Sequence, residues 1–254
     1  MILEQFKLDG LTAIVTGASR GLGQGMAIGL AEAGADIIAV STNKKNLTNT
    51  ETTITKLGRK CIPISCDLSR KEEVENLVKK VKDSGNPIDI LVNNAGTIRR
   101  APAEQYSDED WQIVLNTNLN GLFRLCREVG KLMIAQGHGK IINIASLLSF
   151  QGGITVPAYA ASKGAVMQLT KALANEWAKY NIQVNAIAPG YFATDNTNAL
   201  RNDPVRNKQI TDRIPAGKWG HPNDLMGPIV FLASAASDYV NGHVLLVDGG
   251  WMAR

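Results

Sequence analysis

The chain has 254 residues, 44% hydrophobic and 20% charged, enough for one large α/β domain or two small ones. Its net charge of +4 is spread over interspersed acids and bases, which argues against a nucleic-acid partner. No apolar run approaches the roughly 18 residues of a membrane span and no basic-then-apolar leader opens the chain, so a cytoplasmic enzyme or binding protein with no membrane partner is expected.

Residues 11–16 read as a first strand that runs directly into Gly17-Ala-Ser-Arg-Gly-Leu-Gly23. Met26, Leu30 and Ala33 then share one face of a helix that ends at Gly34. In a strand, glycine turn and helix, backbone can approach a phosphate, and free N–H groups at the helix start favour an anion. The spacing differs from G-x-G-x-x-G, and such a turn can also be purely structural. Residues 36–41 form the second strand, which ends in Ser41-Thr-Asn-Lys-Lys45. No acid stands where the ribose of a dinucleotide is usually bonded. Lys44, Lys45 or Arg20 could meet a 2′-phosphate there; alternatively the lysines are solvated residues opening a helix through Leu57.

A third strand is expected over 59–65, and Cys66-Asp-Leu-Ser69 opens a charged helix to about Ser84. Asp67 sits at that strand end, placed either to meet a cofactor or to cap the helix. Strand four, over 88–92, meets Asn93-Asn-Ala-Gly96, a tight turn with or without a ligand beside it. Arg99 and Arg100 follow on a loop, where they could clamp a carboxylate or serve surface or subunit contacts. Ser107 caps a helix running on from Trp111, and the asparagines of Asn116-Thr-Asn-Leu-Asn120 inside it suggest a kink or an ordered water. Cys61, Cys66 and Cys126 are odd in number and lack metal-ligand spacing, so they fit small core residues in a reducing compartment, and no metal is expected.

Strand five spans 140–145 and leaves Ser146 at its C-terminal end. The following helix, with Val166, Leu169, Leu173 and Trp177 at helical spacing, carries Tyr159 and Lys163 one turn apart on one face. A free tyrosine is a poor base near neutrality, but a nearby cation favours the phenolate, which can take a proton from an alcohol. Ser146 could hold the reacting oxygen by a hydrogen bond. A Tyr–Lys pair at this spacing is also common on exposed helix faces, so it is the rest of the chain that supports chemistry here. Strand six, over 182–188, ends in Pro189-Gly190; residues 191–215 read as a polar lid; a helix over 222–235 and a strand over 242–248 complete the chain. Alternating strands and helices predict a Rossmann-like, doubly wound α/β domain with a parallel sheet of about seven strands. Its ligand crevice is expected at the C-terminal ends of strands one and four.

The motifs Thr16-Gly-Ala-Ser-Arg-Gly-Leu-Gly23, Asn93-Asn-Ala-Gly96, Asn118, Ser146, Tyr159-x3-Lys163 and Pro189-Gly190 span the whole length. In that order the chain resembles the short-chain dehydrogenase/reductase family. The resemblance implies a catalytic tetrad in which Tyr159 is the acid/base, Lys163 lowers its pKa and bonds the nicotinamide ribose, Ser146 orients the substrate oxygen, and Asn118 holds a water. It implies nicotinamide cofactor contacts at Gly17, Ser19, Arg20, Gly21, Leu22, Gly23, Ser41, Asp67, Leu68, Asn93, Ala95, Gly96, Tyr159, Lys163, Pro189, Gly190, Phe192 and Thr194. It favours NAD, with NADP left open because Ser41 and Thr42 carry neither the usual Asp nor the usual Arg. A narrower resemblance, carried by Ile98-Arg-Arg100, the stretch 144–153 and Arg213-Ile-Pro-Ala-Gly-Lys-Trp-Gly220, is to members acting on sugar acids, commonly homotetramers. The implied substrate contacts are Ser146, Arg99, Arg100, Gln151 and Arg213. The rivals are a carrier-protein ketoacyl reductase using NADPH and a non-catalytic nucleotide sensor.

Overall fold

Seven short apolar runs, each flanked by glycine or polar turns, form strands, and helices link them in the computed structural model, which describes residues 1–83 and 85–254. In chain order these are β1 (Thr12–Thr16), α1 (Gly21–Glu32), β2 (Asp36–Ser41), α2 (Thr48–Lys56), β3 (Cys61–Ser65), α3 (Lys71–Asp83), β4 (Ile90–Asn93), α4 (Asp108–Leu115), α5 (Leu122–Gln136) and β5 (Gly139–Ile144). There follow α6 (Pro157–Trp177), β6 (Ile182–Pro189), α7 (Asn198–Asn202), α8 (Pro204–Arg213), α9 (Met226–Ala233) and β7 (Val244–Val247). The expected end of the third helix at Ser84 lies outside the described residues.

All strands pair in parallel in the order β3-β2-β1-β4-β5-β6-β7. Parallel sheets bury both faces, so side chains of alternate residues feed two cores. Ile14, Ile38, Leu91 and Ile141 pack under α3, α5 and α6, whereas Ala13, Val15, Ile37, Ile90 and Ile142 pack under α1, α2 and α9. Winding outward through β1, β2 and β3 and then returning to β4 beside β1 opens a crevice above the C-terminal ends of β1 and β4. The single-domain, doubly wound sheet expected from the strand–helix alternation is present.

Two expectations change in detail. Segment 191–215 is not one irregular excursion but carries α7 and α8, too short and too exposed to print a strong apolar period; Asp203 caps α8 by accepting from the N–H groups of Val205 and Arg206. The asparagine run is neither a simple kink nor an unbroken helix but a π-helical turn over Asn116–Gly121 between α4 and α5.

Candidate active site

The crevice is stitched by Thr16, the last residue of β1. Its hydroxyl donates to Val92 O and accepts from the N–H groups of Asn94 and Ala95, both at 3.0 Å. Asn94 Nδ2 in turn donates to Thr16 O at 2.9 Å. The glycine turn then passes so close that a Cβ on Gly17, whose φ is +65°, would meet Asn94 Nδ2 at 2.7 Å, and one on Gly23 would collide with Gly17 O. No side chain caps the start of α1. Its open N–H groups therefore face the cavity with a positive helix end, which fits a phosphate-bearing ligand.

A cavity of about 1100 Å³ runs from this turn past β4 and β5 to α8 and the chain's last turn. It brings together nearly every residue singled out in the sequence, from Gly17, Ser41 and Asp67 through Ser146, Tyr159 and Lys163 to Arg100 and Arg213. Asn93 and Asn118 are not on its wall. Asn93 is 2% exposed and turns into the core, donating to Asn143 Oδ1 at 2.9 Å and to Cys126 Sγ; the amide facing the cavity is Asn94. Alternation explains this, since a strand-end residue next to an outward one must point inward. Asp67 lines the wall but is also engaged in a tight turn, its Oδ1 accepting from Ser69 N at 2.9 Å and Ser69 Oγ at 2.8 Å. Ser41 Oγ donates to Asn43 O at 2.7 Å.

In the middle of the cavity Ser146 starts a 3-10 turn, and its Oγ accepts from Leu148 N at 3.1 Å. Burial raises the Tyr159 pKa, while the neighbouring Ser146 hydroxyl and the Arg100 charge pull it down. Lys163 is 4% exposed, donates to Ile144 O at 2.5 Å, and is pushed down to about 8 by burial. Its Nζ stands 5.7 Å from the Tyr159 ring centroid. In this arrangement Ser146 and Arg100 are the groups that pull the phenol down, while the Lys163 ammonium, close to the ring, gives one of its three donors to Ile144 O. Asn118, held in the π turn, accepts from Thr97 N at 2.8 Å and donates to Thr97 O and to Ser162 Oγ, which donates to Tyr159 O. It ties the β4 turn to the helix that bears Tyr159.

At the end away from the glycine turn Arg99 pairs with Asp110 at 3.2 Å, and Arg213 lies over the Trp251 ring at 4.1 Å. Arg20 reaches Asp195 at 3.4 Å, joining the glycine turn to segment 191–215. Sequence reasoning quoted Thr16 and Asn94 only within their motifs, without a contact of their own, and passed over Arg206, Gln209 and Trp251; all five are on the wall. Thr16 and Asn94 were signalled by their strand ends; the other three lie in segments without a local motif.

A family model described as Enoyl-(Acyl carrier protein) reductase matches residues 17–252. The chain is 56% identical to the 2-dehydro-3-deoxy-D-gluconate 5-dehydrogenase of Escherichia coli K12, over 100% of both chains. It is 50% identical to an Agrobacterium tumefaciens protein assigned as a 2-deoxy-D-gluconate 3-dehydrogenase and solved with NADP, with a TM-score of 0.92 over 98% of this chain and 99% of that one. It is 42% identical to a Burkholderia cenocepacia gluconate 5-dehydrogenase solved with NADP and tartrate, with a TM-score of 0.96 over 100% of both chains. With the glycine turn, the crevice and the Ser146, Tyr159 and Lys163 cluster already in place, these matches show that the chain belongs to the short-chain dehydrogenase/reductase family of oxidoreductases.

Proposed function

We propose that this protein is a nicotinamide-dependent dehydrogenase that interconverts a secondary alcohol and a ketone on a six-carbon sugar acid, with 2-dehydro-3-deoxy-D-gluconate 5-dehydrogenase as the specific activity. The observation that carries the reading is one cavity holding Ser146, Tyr159 and Lys163 in its middle, a phosphate-fitting glycine turn at one end and several arginines at the other. The 56% identity to a relative of that name supports the substrate.

The bound cofactor supplies the hydride acceptor or donor. Ser146 holds the substrate oxygen. In the oxidative direction Tyr159 takes the alcohol proton, and in the reductive direction it returns one to the ketone oxygen. Lys163 holds the ribose and keeps a positive charge beside the phenol once a ligand competes for its proton donors. Asn118 fixes the turn that frames this proton path and is the residue for an ordered water. Gly17, Ser19, Gly21, Leu22 and Gly23 receive the phosphates; Ser41, Asp67, Leu68, Asn94, Ala95 and Gly96 surround the adenosine; Pro189, Gly190, Phe192 and Thr194 meet the nicotinamide side. NAD is the cofactor the family resemblance favours. NADP also fits, because no acid ends β2 and a second hollow of about 570 Å³ beside it is lined by Lys44 and Lys45, with Glu51 as its one acid. Residues 191–215 serve as the lid.

The protein is read as a cytoplasmic homotetramer in uronate or pectin breakdown, with α5 and α6 as the packing helices; among the described residues no helix is long and apolar enough to cross a membrane. Phe123, 40% exposed on α5, supports an interface there. The test is turnover of 2-dehydro-3-deoxy-gluconate and of gluconate with NAD and with NADP. Preferential oxidation of the former is expected; turnover confined to ketoacyl thioesters overturns the reading.

A further inference from the structure

Four guanidiniums line the substrate end of the cavity, on Arg99, Arg100, Arg206 and Arg213, and they are not equivalent. Arg99 is committed, with its Nε on Asp110 and its Nη1 on Thr97 Oγ1 and Ile98 O. Arg206 donates to Gln209 Oε1 at 2.9 Å along its own helix. Arg100 lines the same wall and its charge bears on Tyr159, but among the described residues no ring or partner fixes its guanidinium. Among the described residues no carboxylate pairs with Arg213. Its guanidinium instead lies over the Trp251 indole, with Cζ 4.1 Å from the ring centroid.

Trp251 is built into the wall. It is 4% exposed, its ring meets Tyr191 at 4.6 Å, and its indole N–H donates to Gln151 Oε1 at 3.4 Å. Its turn is fixed by Asp248, whose carboxylate accepts from the N–H groups of Gly250 at 2.8 Å and Met252 at 2.9 Å. Stacking occupies the face of a guanidinium and leaves its edge donors free, in the geometry that grips a carboxylate bidentately. A pre-aligned arginine also loses less freedom on binding. A six-carbon acid reacting near its far end carries its carboxylate several bonds from the reacting carbon.

We propose that Arg213, held on the indole of Trp251, is the anchor for the substrate carboxylate and sets the preference for acids over neutral sugars, with Trp251 as its positioning residue. This rests on the sugar-acid reading above. The test is steady-state kinetics of the cofactor-saturated enzyme with 2-dehydro-3-deoxy-gluconate and a neutral keto sugar of equal length, for Arg213→Leu, Arg213→Lys, Trp251→Phe and the double variant Arg213→Leu/Trp251→Phe. Arg213→Leu is expected to raise KM for the acid and to lower the acid-over-neutral preference about 10- to 100-fold, with kcat changed much less. Lysine should not restore it, since an ammonium neither stacks flat nor forks. Trp251→Phe, which keeps an aromatic face, should cost less and should add little in the double variant. An unchanged KM, equal losses for acid and neutral ketone, or additive effects would overturn the proposal. Should the wild type turn over no sugar acid, the functional reading fails; tartrate binding to the cofactor-loaded protein, measured calorimetrically in wild type and Arg213→Leu, then decides the platform on its own, and equal affinities overturn it.

Discussion

The cofactor end and the substrate end of the cavity are held by different kinds of contact. Around Thr16, Asn94 and the glycine turn, main-chain groups and short side chains bond each other at about 3 Å, and nothing long or flexible is involved. At α8 and the last turn, exposed Arg213 stands over the Trp251 ring, which packs against Tyr191 and, through it, Trp219. The first arrangement fixes backbone where two chain segments touch, so it tolerates almost no added volume. The second offers charge on adaptable side chains, so it can be retuned for another anion without disturbing the sheet. Chemistry is therefore expected to be fragile at the first end and specificity to be adjustable at the second.

The comparison breaks most visibly at Tyr159, which both ends serve. Tyr159→Phe keeps the ring and removes the proposed proton carrier, so turnover should fall by about 10²- to 10⁴-fold. Cofactor affinity, read by fluorescence titration, should stay within a few-fold. Retained turnover would mean that another group moves the proton. Next in size is Gly23→Ala. The new methyl meets Gly17 O, and thermal unfolding should show a loss of roughly 1–3 kcal/mol together with a smaller stabilising shift on adding cofactor. A variant that melts like wild type would show that the turn is looser than its packing indicates. The smallest effect is expected from Arg20→Ala. The pair with Asp195 is well exposed on both sides, so stability should change by no more than ~0.5 kcal/mol. A selective fall in NADP affinity, with NAD affinity kept, would sharpen the contrast by placing Arg20 on the 2′-phosphate.

The cofactor end was legible because its signals are local. Strand, glycine turn and helix follow one another within residues 12–32, and Ser146, Tyr159 and Lys163 lie within one strand–helix unit. Pointing direction was harder to read: in Asn93-Asn94 the two amides are identical in composition, and only the pleat decides that Asn94 faces the cavity while Asn93 bonds Asn143. The electrostatics of Lys163 were also hidden, because its spacing from Tyr159 gives proximity but not the carbonyl of Ile144 that takes its proton donor. Trp251 was invisible for a different reason. It is brought to Arg213 by the path of β7, thirty-eight positions later in the chain (251 − 213), and no periodicity encodes that meeting.

The account stands on Tyr159 and Lys163 exchanging protons as one unit, and the pH dependence of kcat/KM for alcohol oxidation tests it, in wild type and in Lys163→Met. Burial raises Tyr159 and depresses Lys163 to about 8, so the first proton to leave these two groups leaves near that pH. Below it both protons are held and the alcohol has no acceptor; above it one is gone, so oxidation should rise with pH and level off above about 8. In Lys163→Met the rising limb should move to higher pH, toward the raised tyrosine left without its cation. A limb at the same pH in both proteins would contradict the pairing.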